Sequence, residues 1–262
     1  MLIIIKPTQE QANIQAARIV ANQIRKKPRS VLGLATGKSP LGLYNELIRM
    51  HREDGLDFSE VTTFNLDEYV GIERDHPHSF YRQIHTNFLD NINIKSDNVH
   101  IPDGNAANIE KTCNDYENAI REAGEIDIQI LGIGRTGHIG FNEPTSSLAS
   151  RTRLKTLSDE TIRDNSKLGN DIPQVAITMG IGSILEAKRM LLLAFGSSKT
   201  DAVVKAIEGP VTSSVSASAL QMHADVTVFL DDDAAAGLAH RAYYHRVVEQ
   251  TAKYAPERLG LI

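Results

Sequence analysis

Short apolar segments alternate with amphipathic, helix-like segments along almost the whole chain, and this alternation limits the fold more than any other feature. Most of the apolar segments are continuous rather than interrupted by polar residues, which is typical of strands buried on both faces of a sheet. They span residues 2–5, 31–34, 61–66, 126–130, 175–179, 190–195 and 226–230. The sequence therefore predicts an α/β fold with a mostly parallel sheet and helices on both faces.

The segments between these strands carry helix signals. Thr8 and Gln11 form a capping-box pair at the start of one helix, and Ser39 followed by Pro40 predicts the N-cap and first residue of another. Helical spacing also occurs at 80–88, 109–120, 198–208 and 233–248. No internal repeat and no linker rich in Pro, Gly or Ser interrupts the pattern, so we expect one domain over residues 1–262.

Composition narrows the range of partners. The chain has 28 basic and 33 acidic residues and a net charge of −5, which argues against a nucleic-acid-binding or anionic-membrane surface. Its one cysteine, Cys113, cannot form an internal disulfide, and no apolar segment is long enough for a signal peptide or a membrane span. We therefore expect a cytoplasmic protein without a nucleic-acid or membrane partner.

Ligands of open parallel sheets bind beyond the carboxyl ends of the strands, so polar residues at these ends are the functional candidates. The turn Thr36-Gly37-Lys38-Ser39 follows one strand and opens a helix, whose free N–H groups would suit a phosphate. It is not an ATP-binding P-loop, because three residues separate Gly33 from Gly37 where that motif has four. A tight turn with a capping serine remains the alternative.

A second strand end carries the adjacent acids Asp67 and Glu68. A carboxylate in a partly dry cleft can act as a general base, because burial raises its pKa towards neutrality. The alternative is a solvated loop in which one of the two acids caps the next helix.

The third strand end is glycine-rich and reads GIGRTGHIGFNEP from Gly132 to Pro144. Its glycines match the dinucleotide-binding pattern, but Gly140 and Pro144 follow too closely for the helix that this motif must open. We interpret the glycines as allowing the backbone to wrap closely around a ligand. His138 and Glu143 in the same loop would form a general acid–base pair.

The fourth strand end, from Gly196 to Lys199, predicts a helix start that carries a cation. Lys38 and Lys199 could hold one phosphate from two sides, and a solvated lysine is the alternative for Lys199. The basic segment 151–155 would suit a second anion, or it forms an exposed loop.

Two other chemistries are not supported by the pattern. His76, His78 and His85 are not completed to a ligand set by further residues at a recognisable spacing, so no metal site is expected. Cys113 lies within an amphipathic helical stripe and is interpreted as a core residue rather than a nucleophile.

Two segments carry a resemblance to a known family. Residues 64–69, FNLDEY, and 137–144, GHIGFNEP, resemble the glucosamine-6-phosphate deaminases, and the turns at 35–37 and 196–199 fit the same pattern. Asn142-Glu143-Pro144 is the discriminating part. The related 6-phosphogluconolactonases share the fold and a Gly-His turn but continue differently after the histidine.

This resemblance implies a Rossmann-like open sheet and a reaction that needs no metal or nucleotide cofactor. The deaminases convert glucosamine 6-phosphate and water to fructose 6-phosphate and ammonia. By similarity, Asp67 moves a proton from carbon 2 to carbon 1, His138 carries the proton of ring opening, and Glu143 orients the histidine. The family's phosphate pocket maps onto Gly37, Lys38, Ser39, Lys167 and Lys199.

Two residues depart from the family pattern. Thr136 stands where members commonly have Asp or Asn, so an uncharged hydroxyl replaces part of the usual relay around His138. Lys167 stands where well-known members have arginine, and lysine cannot form a planar two-pronged grip on phosphate.

Residues 146–156 resemble the segment that binds N-acetylglucosamine 6-phosphate in allosteric, hexameric members of the family. The resemblance assigns effector contacts to Ser146, Ser147, Arg153, Lys155 and Thr156. It therefore implies a homo-oligomer, and a hexamer if the enzyme is allosteric.

Two alternatives stay open beside a deaminase. One is a different enzyme of the same fold, either a sugar-phosphate lactonase or an aldose–ketose isomerase that does not deaminate. The other is a catalytically weak sugar-phosphate sensor in which Thr136 marks lost activity.

Overall fold

The architecture is that of a computed structural model, which describes residues 1–166 and 173–261. These residues form ten strands: β1 (Leu2–Lys6), β2 (Val31–Leu34), β3 (Thr62–Asn65), β4 (Asp67–Tyr69), β5 (Val99–His100), β6 (Ile128–Gly132), β7 (Arg153–Thr156), β8 (Val175–Thr178), β9 (Met190–Ala194) and β10 (Val226–Asp231). Seven of them build one sheet in the order β1-β10-β9-β6-β2-β3-β5, and all neighbouring pairs are parallel. The prediction of an α/β fold with a mostly parallel sheet is confirmed.

Helices pack on both faces of this sheet. In the described part of the chain they are α1 (Gln9–Lys26), α2 (Leu41–Asp54), α3 (Phe80–Asn87), α4 (Ile109–Glu122), α5 (Asp159–Ser166), α6 (Ile181–Leu185), α7 (Thr200–Ile207) and α8 (Arg241–Tyr254). Within β1, Ile3 and Ile5 join a buried cluster with residues of α4 and α7, whereas Leu2 and Ile4 join a cluster with residues of α1 and α2. Burial on both faces is the reason why the strand sequences are apolar throughout. None of the described helices combines the length and the apolar content needed to cross a bilayer.

The first helix begins as predicted, whereas the second does not. The Thr8 side-chain oxygen accepts a hydrogen bond from the Gln11 N–H (3.3 Å) at the start of α1. For α2, the prediction of Ser39 as N-cap was wrong, because Pro40 occupies that position and no side chain caps the helix. The first helical hydrogen bond runs from the Tyr44 N–H to the Pro40 carbonyl (2.9 Å), so the helix begins one residue later than predicted.

Three strands form a separate antiparallel sheet in the order β4-β8-β7. The sequence placed residues 175–179 among the strands of a mostly parallel sheet, but β8 pairs antiparallel with β4 and β7, and β4 was not predicted as a strand of its own. Leu66 connects the two sheets: its N–H donates to the Leu34 carbonyl (2.9 Å), and its carbonyl accepts from the Met179 N–H (2.7 Å). The apolar residues of β8 are buried in either arrangement, so their composition does not show which sheet the strand joins.

The strand β5 at the edge of the large sheet was also missed. It has two residues and carries no apolar run that would predict a strand. His100 in β5 stacks on Phe64 of β3, with ring centroids 4.4 Å apart. This edge is therefore formed by a tertiary contact rather than by a local preference for strand.

Candidate active site

The carboxyl ends of three adjacent strands, β2, β6 and β9, bring together the loops predicted to be functional. The turn at 37–39 follows β2, the loop 132–144 begins at the end of β6, and Lys199 follows β9. A Cβ atom added to Gly132 would lie 3.9 Å from the Cβ of Ser39, so the first two loops lie side by side. The small sheet adds a fourth element, because β4 carries Asp67 to the same place.

Asp67 lies on β4 and is only 6% exposed. Opposite it in register is Thr178 of β8, whose hydroxyl accepts a hydrogen bond from the Phe141 N–H (3.0 Å). A Cβ atom added to Gly140 would lie 3.7 Å from Asp67 Oδ2 and 2.9 Å from Thr178 Oγ1. The acid therefore faces the loop that carries His138 rather than solvent.

The environment of the Asp67 carboxyl favours its neutral form. Burial, together with the neighbouring charge of Glu68, raises the pKa of Asp67 from 3.8 to about 8. Within residues 1–166 and 173–261, no group donates a hydrogen bond to this carboxylate that would offset its desolvation. A carboxyl with this pKa can take up and return a proton near neutral pH.

Glu68, the adjacent acid, has a structural role. Its carboxylate accepts hydrogen bonds from the N–H groups of Tyr69 (2.8 Å), Phe80 (2.9 Å) and Tyr81 (2.7 Å). Phe80 and Tyr81 are the first two residues of α3, so Glu68 satisfies free N–H groups at the N-terminus of that helix. Successive side chains of a strand point to opposite faces, and this separates the two acids. The capping acid of the second alternative is therefore Glu68, on a buried strand rather than in a solvated loop, and Asp67 remains the candidate general base.

Glycines shape the loop 132–144. The Gly134 N–H donates to the His138 carbonyl (2.8 Å), and Gly137 adopts a left-handed φ of 81°. The imidazole lies directly over Gly134, where a Cβ atom would come within 2.1 Å of His138 Nε2. The next helix along the chain is α5, so the loop does not open a helix and does not have the dinucleotide-binding arrangement.

Two side chains contact Nδ1 of His138. Thr136 Oγ1 lies 2.8 Å from Nδ1, and Glu143 Oε2 lies 3.4 Å from it. The hydroxyl is therefore at hydrogen-bond distance, whereas the carboxylate forms a longer ion-pair contact. Thr136, which departs from the family pattern, makes the shorter of the two contacts with the histidine.

Glu143 keeps its negative charge at neutral pH. Burial raises the pKa of Glu143, but the contact with His138 and its charge, with hydrogen bonds from Thr161 and the Ser158 N–H (3.2 Å), outweigh burial and lower the pKa to about 2. The ionised carboxylate therefore places a fixed negative charge beside the imidazole.

Helix α5 lies against the candidate site at several points that the sequence did not reveal. Besides the contacts to Glu143 from its first turn, Asp164 pairs with Arg135 of the loop, with Nη1 and Oδ1 3.0 Å apart. The Asn165 amide donates to the Tyr69 hydroxyl on β4 (2.8 Å). These pairs are separated by many residues in the chain, and no local pattern signals them.

The phosphate-binding candidates lie on both sides of the loop. Gly37 and Lys38 are exposed at the end of β2, and Ser39 lies beside the end of β6. Lys199 is half-buried beyond the end of β9. Lys167, which directly follows α5, lies outside the described residues.

Lys199 stands at a helix start, as the sequence predicted, because the 3₁₀ turn Ser197–Lys199 leads directly into α7. The Gly196 N–H is not free for a ligand, because it donates to the Asp231 carboxylate (2.9 Å). Burial lowers the pKa of Lys199, Asp164 opposes this effect, and Arg135 adds to it. Lys199 is therefore within electrostatic range of the pair formed by Arg135 and Asp164.

The predicted effector residues are divided between a buried turn and two faces of β7. Ser146 is buried and its hydroxyl has no hydrogen-bond partner among the described residues, whereas Ser147 is exposed. Arg153 and Lys155 share one face of β7, and Thr156 lies on the other. The Arg153 guanidinium donates to the side-chain oxygen of Asn142 (2.9 Å), which places it against the loop of the candidate site.

A buried acid beside the backbone of a loop that carries a histidine–glutamate pair, near the carboxyl edge of a parallel sheet, is typical of enzymes that use acid–base chemistry. A family model described as glucosamine-6-phosphate isomerases/6-phosphogluconolactonase matches residues 7–229. The match covers most of the chain, and the chain belongs to this family.

Relatives and solved structures agree with the family. A glucosamine-6-phosphate deaminase of Thermoanaerobacter pseudethanolicus is 49% identical over 238 residues, which cover 90% of this chain and 94% of the relative. One from Arthrobacter sp. strain FB24 is 48% identical over 252 residues, covering 95% and 97%. The structure of a monomeric glucosamine-6-phosphate deaminase matches with a TM-score of 0.89 at 45% identity, covering 90% of this chain and 100% of that one. A 6-phosphogluconolactonase from Leishmania guyanensis, 21% identical with a TM-score of 0.73 and covering 91% and 98%, shares the fold.

Proposed function

We propose that this chain converts glucosamine 6-phosphate and water to fructose 6-phosphate and ammonia. The family membership supports this, as do the deaminases that are 48% and 49% identical along nearly the whole chain. The observation that carries the proposal is the position of Asp67, a buried acid with a raised pKa beside the Gly140 backbone of the loop that holds His138 and Glu143.

In this proposal Asp67 carries the proton between carbons 2 and 1 of the open-chain sugar. The ionised carboxylate removes the carbon 2 proton, and the protonated form returns it to carbon 1. Because the two carbons are adjacent, one carboxyl group reaches both from the same face. The product is an imine at carbon 2, and water then releases ammonia and leaves the ketone. The ammonium group of the substrate, next to the acid, favours the ionised form of Asp67.

His138 and Glu143 serve the ring-opening step. The ring must accept a proton on its oxygen before the aldehyde at carbon 1 forms, and a histidine can carry that proton. With Nδ1 occupied by Thr136 and Glu143, Nε2 remains to face the sugar. The Glu143 charge then balances the imidazolium that forms when His138 accepts a proton.

The substrate phosphate is held by Gly37, Lys38, Ser39, Lys167 and Lys199. The first three belong to one strand end and Lys199 to another, on either side of the loop that follows β6. Anchoring the phosphate fixes the far end of the sugar, so the reacting carbons stay in place relative to Asp67.

The direct test is ammonia release from glucosamine 6-phosphate by the purified chain. We expect stoichiometric fructose 6-phosphate, without added metal or cofactor. Tight binding of the sugar phosphate without ammonia would instead identify a sensor. Hydrolysis of 6-phosphogluconolactone in place of deamination would identify a lactonase.

Regulation and assembly are part of the same proposal. We propose that N-acetylglucosamine 6-phosphate binds at 146–156 in a cytoplasmic, hexameric enzyme, with contacts from Ser146, Ser147, Arg153, Lys155 and Thr156. Arg153 must then leave Asn142 for the effector, so binding there would reach the catalytic loop directly. Light scattering and ammonia release, each with and without the effector, test this. A monomer that does not respond to the effector would contradict it.

A further inference from the structure

Arg135 emerges between the two strand ends that carry the phosphate-binding candidates. It follows β6, which lies between β2 and β9 in the sheet, and these neighbours lead to the turn at 37–39 and to Lys199. The resemblance to the deaminases assigns no role to this residue. Its side chain is 59% exposed, so the guanidinium is accessible to a ligand from solvent.

The guanidinium has one partner among the described residues. Its Nη1 lies 3.0 Å from Oδ1 of Asp164, a residue of α5 that is 34% exposed. An exposed ion pair with a single contact contributes little to stability, because water screens it. A guanidinium has five N–H donors arranged to fit phosphate through two parallel hydrogen bonds, and those bonds are stronger. The guanidinium could therefore form two hydrogen bonds to a phosphate where it forms one to Asp164.

Electrostatics connects this ion pair with the phosphate site. The charges of Arg135 and Asp164 both act on the ammonium group of Lys199. A sugar phosphate held by Lys199 would therefore lie within electrostatic range of both partners of this ion pair. The arginine attracts the phosphate, and the aspartate repels it.

From the position of Arg135 between the ends of β2 and β9, we propose that it is a third phosphate-binding cation. Asp164 holds it until the substrate arrives, and the guanidinium then exchanges that carboxylate for the phosphate. The inference rests on the proposed function, since it concerns the same substrate. It adds Arg135 to the phosphate-binding residues that the resemblance assigns.

The exchange makes opposite predictions for the two partners. Arg135→Gln should raise KM for glucosamine 6-phosphate roughly tenfold with kcat within about twofold, because ground and transition states both contain the phosphate. Asp164→Asn should lower KM by roughly threefold, since it removes the competing carboxylate. In the Arg135→Gln background the Asp164→Asn change should have a smaller effect, because no arginine remains to be released.

Calorimetric titration with inorganic phosphate measures the same site without turnover. The dissociation constant should change in the same directions as KM, so the result stands apart from the test of deamination. Arg29→Gln is the matched control: Arg29 precedes β2, at the opposite edge of the sheet, is 83% exposed, and should change neither value.

A different role for the ion pair gives a different result. If the pair only fastens α5 to the loop, Arg135→Gln and Asp164→Asn will both raise KM by similar factors, and the proposal is wrong. A fall in kcat with unchanged KM and unchanged phosphate affinity in Arg135→Gln would overturn it as well. An equal effect of Asp164→Asn in both backgrounds would exclude the exchange.

Discussion

Nδ1 of His138 lies 2.8 Å from the hydroxyl oxygen of Thr136, closer than the 3.4 Å that separates it from Glu143 Oε2. A threonine hydroxyl can either accept a hydrogen bond from Nδ1–H or donate one to the unprotonated nitrogen. It can therefore stay bonded to the histidine in both protonation states. The Glu143 carboxylate can only accept a hydrogen bond, and it contributes its negative charge from the longer distance of 3.4 Å. Thr136 carries no charge, but it thus keeps a polar contact to the imidazole ring of His138.

Thr136→Val tests this hydrogen bond. Valine has nearly the same shape but no hydroxyl, so the ring loses its shortest polar contact. We expect kcat for ammonia release to fall roughly tenfold, the loss typical of a buried hydrogen bond to a group that becomes charged. Thr136→Ser, which keeps the hydroxyl, should retain most of the activity. Equal kcat values for the valine variant and the wild type would show that Glu143 alone orients the histidine.

Asp67→Asn removes the proposed proton carrier while keeping its size. We expect kcat to fall by about a hundred- to ten-thousand-fold, the range that a positioned acid–base group contributes. Phosphate affinity should remain close to that of the wild type, because Asp67 is not among the phosphate contacts. Asp97→Asn is the matched control, because it makes the same change of charge at an exposed residue in the short turn Ser96–Asn98. Substantial turnover in Asp67→Asn would remove Asp67 from this role.

The raised pKa of Asp67 predicts how activity depends on pH. With a pKa of about 8 in the free protein, the ionised, proton-accepting form increases as the pH rises towards 8. The value of kcat/KM should therefore increase over this interval and level off above it, and Asp67→Asn should lack this limb. A profile that is flat between pH 6 and 9, with chemistry shown to be rate-limiting, would contradict the assignment.

The same shift has a consequence for stability. The folded pKa of about 8 lies above the ordinary value of 3.8, so between these values the folded state binds more protons than the unfolded state. Stability contributed by neutral Asp67 is thus present below about pH 4 and declines as the pH rises towards 8. Asp67→Asn, which cannot ionise, should gain in relative stability over that interval. Urea denaturation of both proteins at pH 5 and pH 8.5 measures the difference.

Glu117 provides a stability prediction away from the chemistry. This buried acid of α4 accepts hydrogen bonds from the Thr152 N–H (2.7 Å), the Thr152 and Ser183 hydroxyls and Arg151. Glu117→Ala should reduce the free energy of unfolding by about 3 kcal/mol, because it leaves buried donors without an acceptor. Glu186→Ala, which removes the exposed partner of the same arginine, should cost less than about 1 kcal/mol. Equal losses would show that the buried network adds nothing beyond a surface ion pair.

Several features of the site were predictable because they depend on short stretches of chain. Apolar runs located the central strands, and the carboxyl-edge rule indicated that Asp67, His138 and Lys199 would lie along one edge. The glycines of the loop 132–144 indicated close backbone approach, and Gly134 lies directly beneath the His138 ring.

Other features could not be predicted, because they depend on residues far apart in the chain. The pairing of Asp67 with Thr178 and the contact of Arg135 with Asp164 join segments whose local sequences contain no information about each other. The same limitation led to the wrong sheet for β8.

By itself, the sequence determined the alternation of strands and helices, the parallel core and the residue types at each strand end. These follow from side-chain periodicity and from the burial of apolar surface, which act within a few residues. Only the tertiary structure decided that Asp67 would be buried against the loop while Glu68 binds the start of α3, and that Thr136 would contact His138 more closely than Glu143. Desolvation and side-chain contacts depend on which segments pack together, and packing is settled by the whole chain.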